Sequence, residues 1–493
     1  MAKWYSSRLK PDGENEFWDQ ALLKDCGIDK TDWAIIPGRY GMPDIVSTSK
    51  LVIIGDEESH FDTESHNNIW VQSPHVRQYK TAERFIPIGY TPQTRPILKD
   101  LSPVKSLDWC FLGQNTHPRR QLAVQKMRTL DNGLLVETTG FTKGQSQNEY
   151  LANLASSRTT VCPSGAVIPD TFRIWEALEA QSLPIVDGLD LNAESKGYWE
   201  HLFGYRPPFP ILEDWHDLPG TIEYFCDTYP TYQNRVSAWW QMYKRDLRNA
   251  ISKNDNPLTV LIATSPISSH PDIEMIKTTI ESIRVFTDAE IIIMFDGVRP
   301  EQEGYRDRYE KYIENLLWEI NHNQDNVVPV IYDEHLHQAE MTRRTLKYVD
   351  TPYLMFVEHD TPLTPDCDIP FKQIYDLLDT DANLVRLNHE ALILPDHEHL
   401  MIAPRETFTR TAQWSQRPHI ARTEYYKHIF DRYFDGSKTM IEDRMHSVLQ
   451  SGWLERGLPG WSEHRIYIYS PEGNQKRSYH LDGRGDDPKW AEE

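Results

Sequence analysis

The sequence predicts an α/β protein with two domains, and three observations support this prediction. The chain has 493 residues, whereas single hydrophobic cores stop growing at roughly 250–300 residues. A polar run at 252–257 ends in proline, and turn-forming residues between two periodic segments are typical of a linker. On both sides of this run, apolar strand-like segments alternate with helix-like segments. We therefore expect one domain over 1–250, a second over 257–485, and a tail at 486–493.

The second half has the more regular pattern. Predicted strands 258–263, 290–295, 327–332 and 353–357 alternate with predicted helices 272–286, 301–320 and 336–349. Continuous apolar strands separated by amphipathic helices indicate a doubly wound parallel sheet that helices cover on both faces. Ligands of such sheets bind at the carboxyl ends of the strands.

The first half predicts two smaller Rossmann-like lobes in tandem. The first lobe has predicted strands at 33–37, 51–55, 69–72 and 84–90. The second begins at strand 109–113 and continues through helix 119–130, strand 134–137, helix 146–156, strand 159–162, helix 172–180 and strand 183–186. A helix over 236–251 closes this domain.

The composition indicates a folded, acidic protein. The formal net charge of −22 argues against a surface that attracts nucleic-acid backbones or anionic lipid, although a local basic groove stays open. The five cysteines show no CxxC spacing, which indicates reduced thiols. Residues 1–17 lack the apolar core of a signal peptide, and no apolar run reaches the roughly 18–20 residues of a membrane helix. We therefore expect a soluble, cytoplasmic protein without a membrane span.

Several common catalytic motifs are absent from the sequence. It contains no P-loop, no GxGxxG fingerprint, no GxSxG elbow and no HExxH helix. We therefore exclude P-loop phosphoryl transfer, hydride transfer and zinc proteolysis as candidate functions.

The clearest chemical centre is the acidic triplet Glu358-His359-Asp360, which follows the apolar strand 353–357. In an extended chain, residues two apart point to the same side, so the two carboxylates would face one ligand. Such a pair suits a divalent cation, Mn²⁺ or Mg²⁺, whose remaining ligands are diphosphate oxygens. The alternative is a solvated strand end with ordinary acidic residues.

Two neighbouring strand ends carry further polar groups. Thr264 follows the first strand of the second half, and Asp296 follows the second. Asp296 suits a hydrogen bond to a ribose or a base, although an Asp-Gly turn is common after any strand. Arg343 and Arg344, on the helix before the triplet strand, would reach a diphosphate, unless that helix face is only solvated.

Two downstream features complete the candidate site. Glu442 and Asp443 open a predicted helix at 442–449, where a carboxylate would take the proton of an acceptor hydroxyl; acids are also favourable in any first helical turn. His480 would complete the metal site from the C-terminal segment, although a lone histidine is more often not a ligand. The run 396–399 resembles a metal-binding tract, but we expect a hairpin loop there.

Residues from about 257 to 485 resemble a GT-A glycosyltransferase of the broad family-2 type. The resemblance rests on Thr264-Ser265-Pro266, on Asp296-Gly297, on the triplet in the DxD position, and on the acid pair Glu442-Asp443. The triplet departs from the family pattern by having Glu-His in place of Asp-x.

This resemblance implies a role for each matching residue. Asp296 would contact the nucleoside, Asp360 the metal, and Glu358 the ribose or a metal-bound water. Asp443 would be the general base of an inverting transfer. His480 is similar to the late metal-binding histidine of some GT-A enzymes.

Residues from about 105 to 190 resemble the nucleotide-binding half of the exostosin family, which has the GT-B fold. The matching strings are Cys162-Pro163-Ser164-Gly165, then 170–178, then Leu183-Pro184-Ile185-Val186, with Arg119-Arg120 in the position of an early arginine. Ser164, Gly165 and the helix N-terminus would cradle a diphosphate. Arg173 would pair with phosphate, and Glu176 would bind ribose hydroxyls.

The sequence thus predicts a two-module glycosyltransferase, with tandem Rossmann-like GT-B lobes followed by a GT-A mixed sheet. The donor would be a nucleotide-diphosphate sugar, with a UDP-sugar favoured, and the acceptor a glycan. We place the acceptor side at 414–419. The first module, with its nucleotide-binding half at about 105–250, is either a second transferase or a degenerate donor or acceptor platform. Two alternatives stay open: a viral-type transferase acting on a modified DNA base, and a non-catalytic carbohydrate-binding protein.

Overall fold

The computed structural model describes most of the chain. The described residues are 2–4, 20–37, 50–55, 68–75, 82–102, 104–140, 143–188, 197–252, 255–390, 393–471 and 475–481. Lys253 and Asn254 of the predicted linker, most of residues 1–17, and the predicted tail at 486–493 lie outside these ranges.

The chain divides into two compact units. Unit 1 comprises Met1–Lys253 and Leu317–Asn323, and unit 2 comprises Asn254–Leu316 and Gln324–Glu493. The division near residue 253 falls within the run that the sequence indicates as a linker. The assignment of 317–323 to unit 1 differs from the predicted limits, which place helix 301–320 wholly in the second domain.

Unit 1 contains two five-stranded parallel sheets in its described part. The first consists of β1 (Lys3–Trp4), β2 (Ala34–Pro37), β3 (Leu51–Ile54), β4 (Ile69–Gln72) and β5 (Arg84–Ile86), in that order. The second consists of β6 (Leu107–Gln114), β7 (Gly133–Thr138), β8 (Ser157–Cys162), β9 (Leu183–Asp187) and β10 (Ile211–Leu212). Its order is β10-β9-β8-β6-β7. The predicted strand 84–90 ends early, at Ile86, because Pro87 has no N–H to continue the ladder.

Helices cover these sheets. They are α1 (Ala21–Asp25), α2 (Thr94–Leu98), α3 (Pro118–Met127), α4 (Gln147–Ala155), α5 (Phe172–Glu179), α6 (Tyr198–Phe203), α7 (Leu218–Asp227) and α8 (Thr231–Ile251). A capping box begins α4, since the Ser146 side chain accepts from the Glu149 N–H and the Glu149 side chain accepts from the Ser146 N–H. Every residue of β3, β4 and β9 is buried, as expected for parallel strands with both faces covered.

Unit 2 has one mixed sheet of nine strands among the residues described. They are β11 (Leu258–Thr264), β12 (Glu290–Phe295), β13 (Val327–Ile331), β14 (Tyr353–Glu358), β15 (Leu384–Leu387), β16 (Met401–Ile402), β17 (Phe408–Thr411), β18 (His419–Arg422) and β19 (Ile466–Tyr469). Their order is β13-β12-β11-β14-β18-β15-β19-β17-β16. The first four are mutually parallel, and β18 runs antiparallel to both β14 and β15. The strands β14 and β15 therefore point the same way.

The remaining helices follow the predicted pattern with shorter limits. They are α9 (Glu274–Arg284), α10 (Arg306–His322), α11 (His337–Thr345), α12 (Phe371–Thr380), α13 (Thr423–Tyr433), α14 (Ile441–Arg456) and α15 (Leu458–Ser462). The predicted helix 301–320 begins as a 3₁₀ turn, Pro300–Tyr305, before α10. The predicted hairpin loop at 396–399 is instead part of a 3₁₀ segment, Pro395–Leu400. Among the helices that the structure describes, none has the length and apolar character needed to cross a membrane.

A buried histidine makes the stability of unit 2 depend on pH. His270 is 2% exposed and stacks on Tyr312, with ring centroids 3.8 Å apart. Its Nδ1 accepts from the Ile267 N–H at 3.3 Å. Burial, with smaller contributions from His359 and Arg308, lowers the pKa of His270 to about 3.

We predict that this histidine weakens unit 2 in mild acid. Below the pKa of about 6.5 of an unfolded histidine, the unfolded chain binds a proton that the folded chain does not. The stabilisation is therefore complete above that pH and is lost as the pH falls toward 3. Between pH 7.5 and 5.5, the free energy of unfolding should drop by about 1.4 kcal/mol through His270. Urea unfolding read by amide exchange in β11 and β12 measures this drop.

His270→Phe keeps an aromatic ring against Tyr312 and removes the titrating group. The drop in the free energy of unfolding between pH 7.5 and 5.5 should therefore be smaller by about 1.4 kcal/mol in this variant. The exposed His428→Phe serves as the matched control. Identical pH dependence in wild type and His270→Phe would contradict the prediction.

Candidate active site

A cleft of about 880 Å³ lies in unit 2 at the carboxyl ends of β11, β12 and β14. Its wall brings together most of the second-half residues that the sequence singles out. These are Thr264, Asp296, Glu358, Asp360, Glu442, Asp443 and His480. Their convergence follows from the parallel pairing of β11 with both neighbours, because parallel strands end at the same edge of a sheet.

The acidic strand end forms a compact group of candidate metal ligands. One ligand atom each of Glu358, Asp360 and His480 lies within 4.8 Å of the others. The Nδ1 of His480 is 3.5 Å from Oδ2 of Asp360. The strand ends at Glu358, and a turn follows at His359 and Asp360. The two carboxylates therefore meet through a turn, and not through the extended alternation that the sequence suggests.

The C-terminal segment brings His480 into this group. It lies antiparallel to the chain that leaves the turn: Leu363 pairs with Ser478, and Thr364 donates to the Arg477 carbonyl. The Leu481 N–H donates to the Asp360 carbonyl at 3.0 Å. The position of His480 is thus fixed by backbone pairing to the same segment that carries Asp360. Asp482 and Gly483, which follow it, lie outside the described residues.

Gln338 ties the acidic strand end to two helices. Its Nε2 donates to Oε1 of Glu358 at 3.1 Å, and its Oε1 accepts from the Ile441 N–H at 3.1 Å. The residue lies at the start of α11, and Ile441 is the first residue of α14. One buried amide side chain therefore sets the position of Glu358 relative to the helix that carries Glu442 and Asp443.

Burial and like charge make Glu358 an unusual acid. Burial, with the neighbouring Asp360 carboxylate, raises the pKa of Glu358 to about 8. Glu442 adds to this rise, while Arg417 opposes it. Two carboxylates at a buried edge repel each other, and a divalent cation between them would remove that cost. The residues present therefore fit a bound cation.

Asp296 lies in the cleft wall, but its carboxylate is occupied by its own chain. Oδ1 accepts from the N–H groups of Gly297 and Leu336, and Oδ2 accepts from the His337 N–H at 3.0 Å. The His335 ring nitrogen Nδ1 is 2.8 Å from Oδ2. Three backbone N–H groups thus donate to a carboxylate that has roughly four lone-pair sites. The arrangement favours a positioning role at the start of α11 and does not support the predicted nucleoside contact.

The acid pair of α14 divides into an anchored and an open member. Glu442 is half-buried, and its Oε2 accepts from the Gln416 N–H at 3.0 Å. Asp443 is exposed, and no donor from the described part of the chain reaches its carboxylate. Asp443 is therefore the acid with free acceptor capacity in this first helical turn. Thr264, by contrast, is buried and lies 3.1 Å from the Tyr312 hydroxyl.

Arg344 is not brought to the cleft. Its guanidinium pairs with Glu340 and with Glu334, each at 2.7 Å, and the side chain is 39% exposed. Arg343 pairs with Glu340 as well. The predicted diphosphate contact of Arg344 is thus not supported, because ion pairs with Glu340 of the same helix and with Glu334 before it hold the side chain on a solvated face of α11.

The cleft is also lined by three arginines to which the sequence analysis gives no individual role: Arg299, Arg386 and Arg417. Arg417 belongs to the segment 414–419, which the sequence places on the acceptor side, and Ser415 and Gln416 of this segment also line the cleft. Arg386 lies in β15, whose position beside β18 follows from strand order. The sequence of β15, four buried residues, does not indicate which strands lie beside it in the sheet.

Unit 1 has its own cleft, of about 950 Å³, at the carboxyl ends of β6 and β8. Gly165, Arg173 and Glu176 line it, and so do His117 and Arg120. Arg173 donates through Nε to the Leu112 carbonyl, and its Nη1 is buried without a hydrogen-bond partner in the structure as described. Burial and the neighbouring Arg173 lower the pKa of Arg120 to about 10. Cationic donors therefore converge near the N-terminus of α5.

Three predicted residues of unit 1 are engaged elsewhere. Ser164 donates to Asp187, and Asp187 also pairs with Arg119 at 3.3 Å. Neither Ser164 nor Arg119 is among the residues that line the cleft. Glu176 is 3% exposed and accepts from the hydroxyls of Thr91 and Tyr150, each at 2.8 Å. Its predicted contact with ribose hydroxyls competes with these internal bonds. Arg173 and Gly165 line the cleft, and their part in a phosphate site stays a prediction.

Comparison with known families bears on unit 1. Residues 135–254 match the family model described as the RXYLT1 C-terminal domain, a glycosyltransferase family. The match covers about a quarter of the 493 residues and includes the strands and helices around Arg173. This part of the chain, which apart from Asn254 belongs to unit 1, is therefore similar to a glycosyltransferase family. No curated protein sequence matches the chain.

Solved glycosyltransferase structures show weak similarity to the chain. One is S. aureus TarS 1–349 in complex with UDP-GlcNAc, at 13% identity and a TM-score of 0.30, covering 47% of this chain and 60% of that one. Another is mannosyltransferase PcManGT from Pyrobaculum calidifontis in complex with GDP-Man and Mn²⁺. It has 13% sequence identity and a TM-score of 0.31, and the match covers 51% of this chain and 68% of that one. A third is GalNAc-T7 with UDP, GalNAc and Mn²⁺, with 10% sequence identity and a TM-score of 0.29. This match covers 45% of this chain and 43% of that one. Similarities of this strength say nothing about what this chain binds.

Asp360→Asn should weaken Mn²⁺ binding without disturbing the fold. The substitution keeps the side-chain size and removes one carboxylate of the group. We expect the Mn²⁺ affinity to fall at least 10–100-fold, roughly the loss that follows removal of an outer-shell partner. Electron paramagnetic resonance of free Mn²⁺ measures the affinity.

Glu424→Gln provides the control, since Glu424 is an exposed carboxylate of α13 that pairs with Lys427. Unfolding curves show whether each variant is folded. A folded Asp360→Asn protein that binds Mn²⁺ as wild type does would rule out this assignment.

Proposed function

We propose that the chain is a glycosyltransferase whose unit 2 cleft moves a sugar from a nucleotide-diphosphate sugar to an acceptor hydroxyl. The observation that carries this proposal is the group Glu358, Asp360 and His480, at the carboxyl edge of parallel strands in the same cleft as the open acid Asp443. A cation site and a free general base in one cleft are the two parts that such a transfer requires. The similarity of unit 1 to a glycosyltransferase family supports the same class.

The acidic group is the proposed donor end. Glu358, Asp360 and His480 would hold Mn²⁺ or Mg²⁺, and the imidazole favours Mn²⁺ because Mg²⁺ prefers oxygen ligands. When bound, the ion neutralises charge that develops on a leaving nucleoside diphosphate. A UDP-sugar is the proposed donor, by resemblance of the second half to family-2 enzymes. Asp296 would act indirectly, by holding the start of α11 where Gln338 reaches Glu358.

Asp443 is the proposed general base. It is exposed in the cleft, and it lies in the first turn of α14 next to Glu442, which the Gln416 N–H holds in place. Asp443 would take the proton of the acceptor hydroxyl as that oxygen attacks the anomeric carbon. Attack from the side opposite the leaving diphosphate inverts the configuration, so we propose an inverting enzyme.

A glycan is the proposed acceptor. The net charge of −22 disfavours a DNA acceptor, because the long phosphate backbone of DNA would be repelled by the acidic surface around the cleft.

The unit 1 cleft is a second candidate site. Arg120, Arg173 and the start of α5 converge on it, and Thr171 Oγ1 and Arg173 Nη1 are buried there without partners within the described ranges. An oxyanion such as a diphosphate would satisfy these groups. We propose that unit 1 binds a nucleotide sugar through this cleft, either as a second transferase or as a donor or acceptor platform.

Asp443→Asn should abolish transfer by unit 2 while leaving the donor end intact. We expect the transfer rate to fall by roughly 10²–10⁴-fold, the usual contribution of a general base, and Mn²⁺ affinity to stay at the wild-type value. Release of nucleoside diphosphate from a panel of nucleotide sugars, with glycan acceptors, measures the rate.

Asp431→Asn, on α13, is the matched control and should retain wild-type turnover. Transfer that survives Asp443→Asn and disappears on adding Arg173→Gln would be assigned to unit 1. Full turnover in a folded Asp443→Asn, Arg173→Gln protein would contradict both assignments.

A further inference from the structure

The register of the unit 2 sheet places two arginines beside the acidic strand end. His419 of β18 pairs with Phe356 of β14 on one side and with Arg386 of β15 on the other. Side chains of directly paired residues lie on the same face of a sheet, and the rings of Phe356 and His419 stack with centroids 5.7 Å apart. Arg386 therefore lies on this face, two strand spacings or roughly 10 Å from Phe356.

The carboxyl edge of this sheet carries the next residues of the cleft wall. Glu358 is the last residue of β14 and shares the face of Phe356, because residues two apart in a strand point to the same side. Arg417 lies in a bend two residues before β18, and Asn388 directly follows β15. Glu358, Arg417, Asn388 and Arg386 all line the cleft.

Arg386 is a buried cation with spare hydrogen-bonding capacity. It is 6% exposed, and its Nη1 donates to the main-chain and side-chain oxygens of Gln413 at 2.9 and 3.1 Å. Within the described ranges, Nε of Arg386 and Nη1 of Arg417 are buried without a hydrogen-bond partner. No carboxylate in the described portion of unit 2 forms an ion pair with either guanidinium. Burial lowers the pKa of Arg386 to about 10, so the side chain is still charged at neutral pH.

Arg386 is buried and Arg417 is half-buried, and each has a buried N–H group that is costly unless a ligand accepts its hydrogen bond. These donors suit the oxygens of a phosphate or a carboxylate, which guanidiniums bind in a bidentate manner. On the basis of the proposed function, we infer that Arg386 and Arg417 form a subsite for an oxyanion carried by the acceptor.

The position of the arginines favours the acceptor over the donor as the source of this anion. Arg386 and Asn388 lie across β18 from the strand that ends in Glu358, on the side away from β11 and β12. The Gln416 N–H, next to Arg417 in the chain, holds Glu442 of the helix that carries the proposed base. The anion thus binds beside Asp443 and next to the donor end. The acceptor is accordingly an acidic or phosphorylated glycan.

Inorganic phosphate is a probe for this subsite, because it carries the recognised group alone. Phosphate is titrated by calorimetry into the full chain with and without saturating UDP and Mg²⁺. We expect phosphate to bind with UDP present, and Arg386→Gln and Arg417→Gln each to weaken it by roughly 10–100-fold. UDP affinity should change less than about twofold in both variants. Arg422→Gln, at the exposed far end of β18, is the matched control and should bind phosphate as wild type does.

The remaining outcomes separate this inference from the proposed function. Phosphate binding that disappears once UDP is present, with UDP weakened in the arginine variants, would overturn the inference by assigning the pair to the donor diphosphate. Phosphate binding that the variants leave unchanged would overturn it as well. If UDP does not bind at all, the proposed function fails, while phosphate binding that both variants lose still supports the subsite. Arg386→Lys, which keeps the charge, replaces Arg386→Gln if that variant does not fold.

Discussion

The unit 2 cleft depends on an electrostatic conflict at the end of β14. Glu358 and Asp360 are half-buried, and burial together with the neighbouring Asp360 carboxylate raises the pKa of Glu358. Such an arrangement is unfavourable in isolation, and natural chains keep it where a ligand resolves it. The raised pKa of Glu358 is the signature of this conflict. A divalent cation bound there would offset the repulsion between the two carboxylates, and its remaining positive charge would attract a nucleoside diphosphate.

The surrounding elements hold this conflict in place. Gln338 fixes one oxygen of Glu358 and, through the start of α14, the acid pair beside it. The C-terminal segment returns to pair with the chain after Asp360 and thereby delivers His480. The bend before antiparallel β18 carries Arg417, whose positive charge partly offsets the raised pKa of Glu358. Acidic and basic groups thus line one cleft, in which we propose neighbouring sites for a cation and for an anion.

Local sequence pattern predicts the strands and helices well where burial is continuous, as in β11, β12 and β14. It also predicts the convergence of Thr264, Asp296, Glu358 and Asp360, because parallel strands end together. It does not predict the occupation of Asp296 by the amides of α11, since those bonds depend on how a distant helix approaches. The position of Arg344 outside the cleft lining has a similar cause, because a helix pattern in the sequence does not reveal which side of the helix faces the cleft. Arg386 was missed because its role follows from strand order, which brings residues far apart in sequence into one row.

The most direct test of the central claim is the location of a metal ion in crystals grown with Mn²⁺ and UDP. Anomalous scattering at the manganese edge identifies the ion independently of any assumed site. The account predicts one strong peak in unit 2 among the carboxylate oxygens of Glu358 and Asp360 and a ring nitrogen of His480, with the UDP diphosphate beside it. A peak elsewhere in the cleft, or UDP bound with no ion at these three residues, would contradict it.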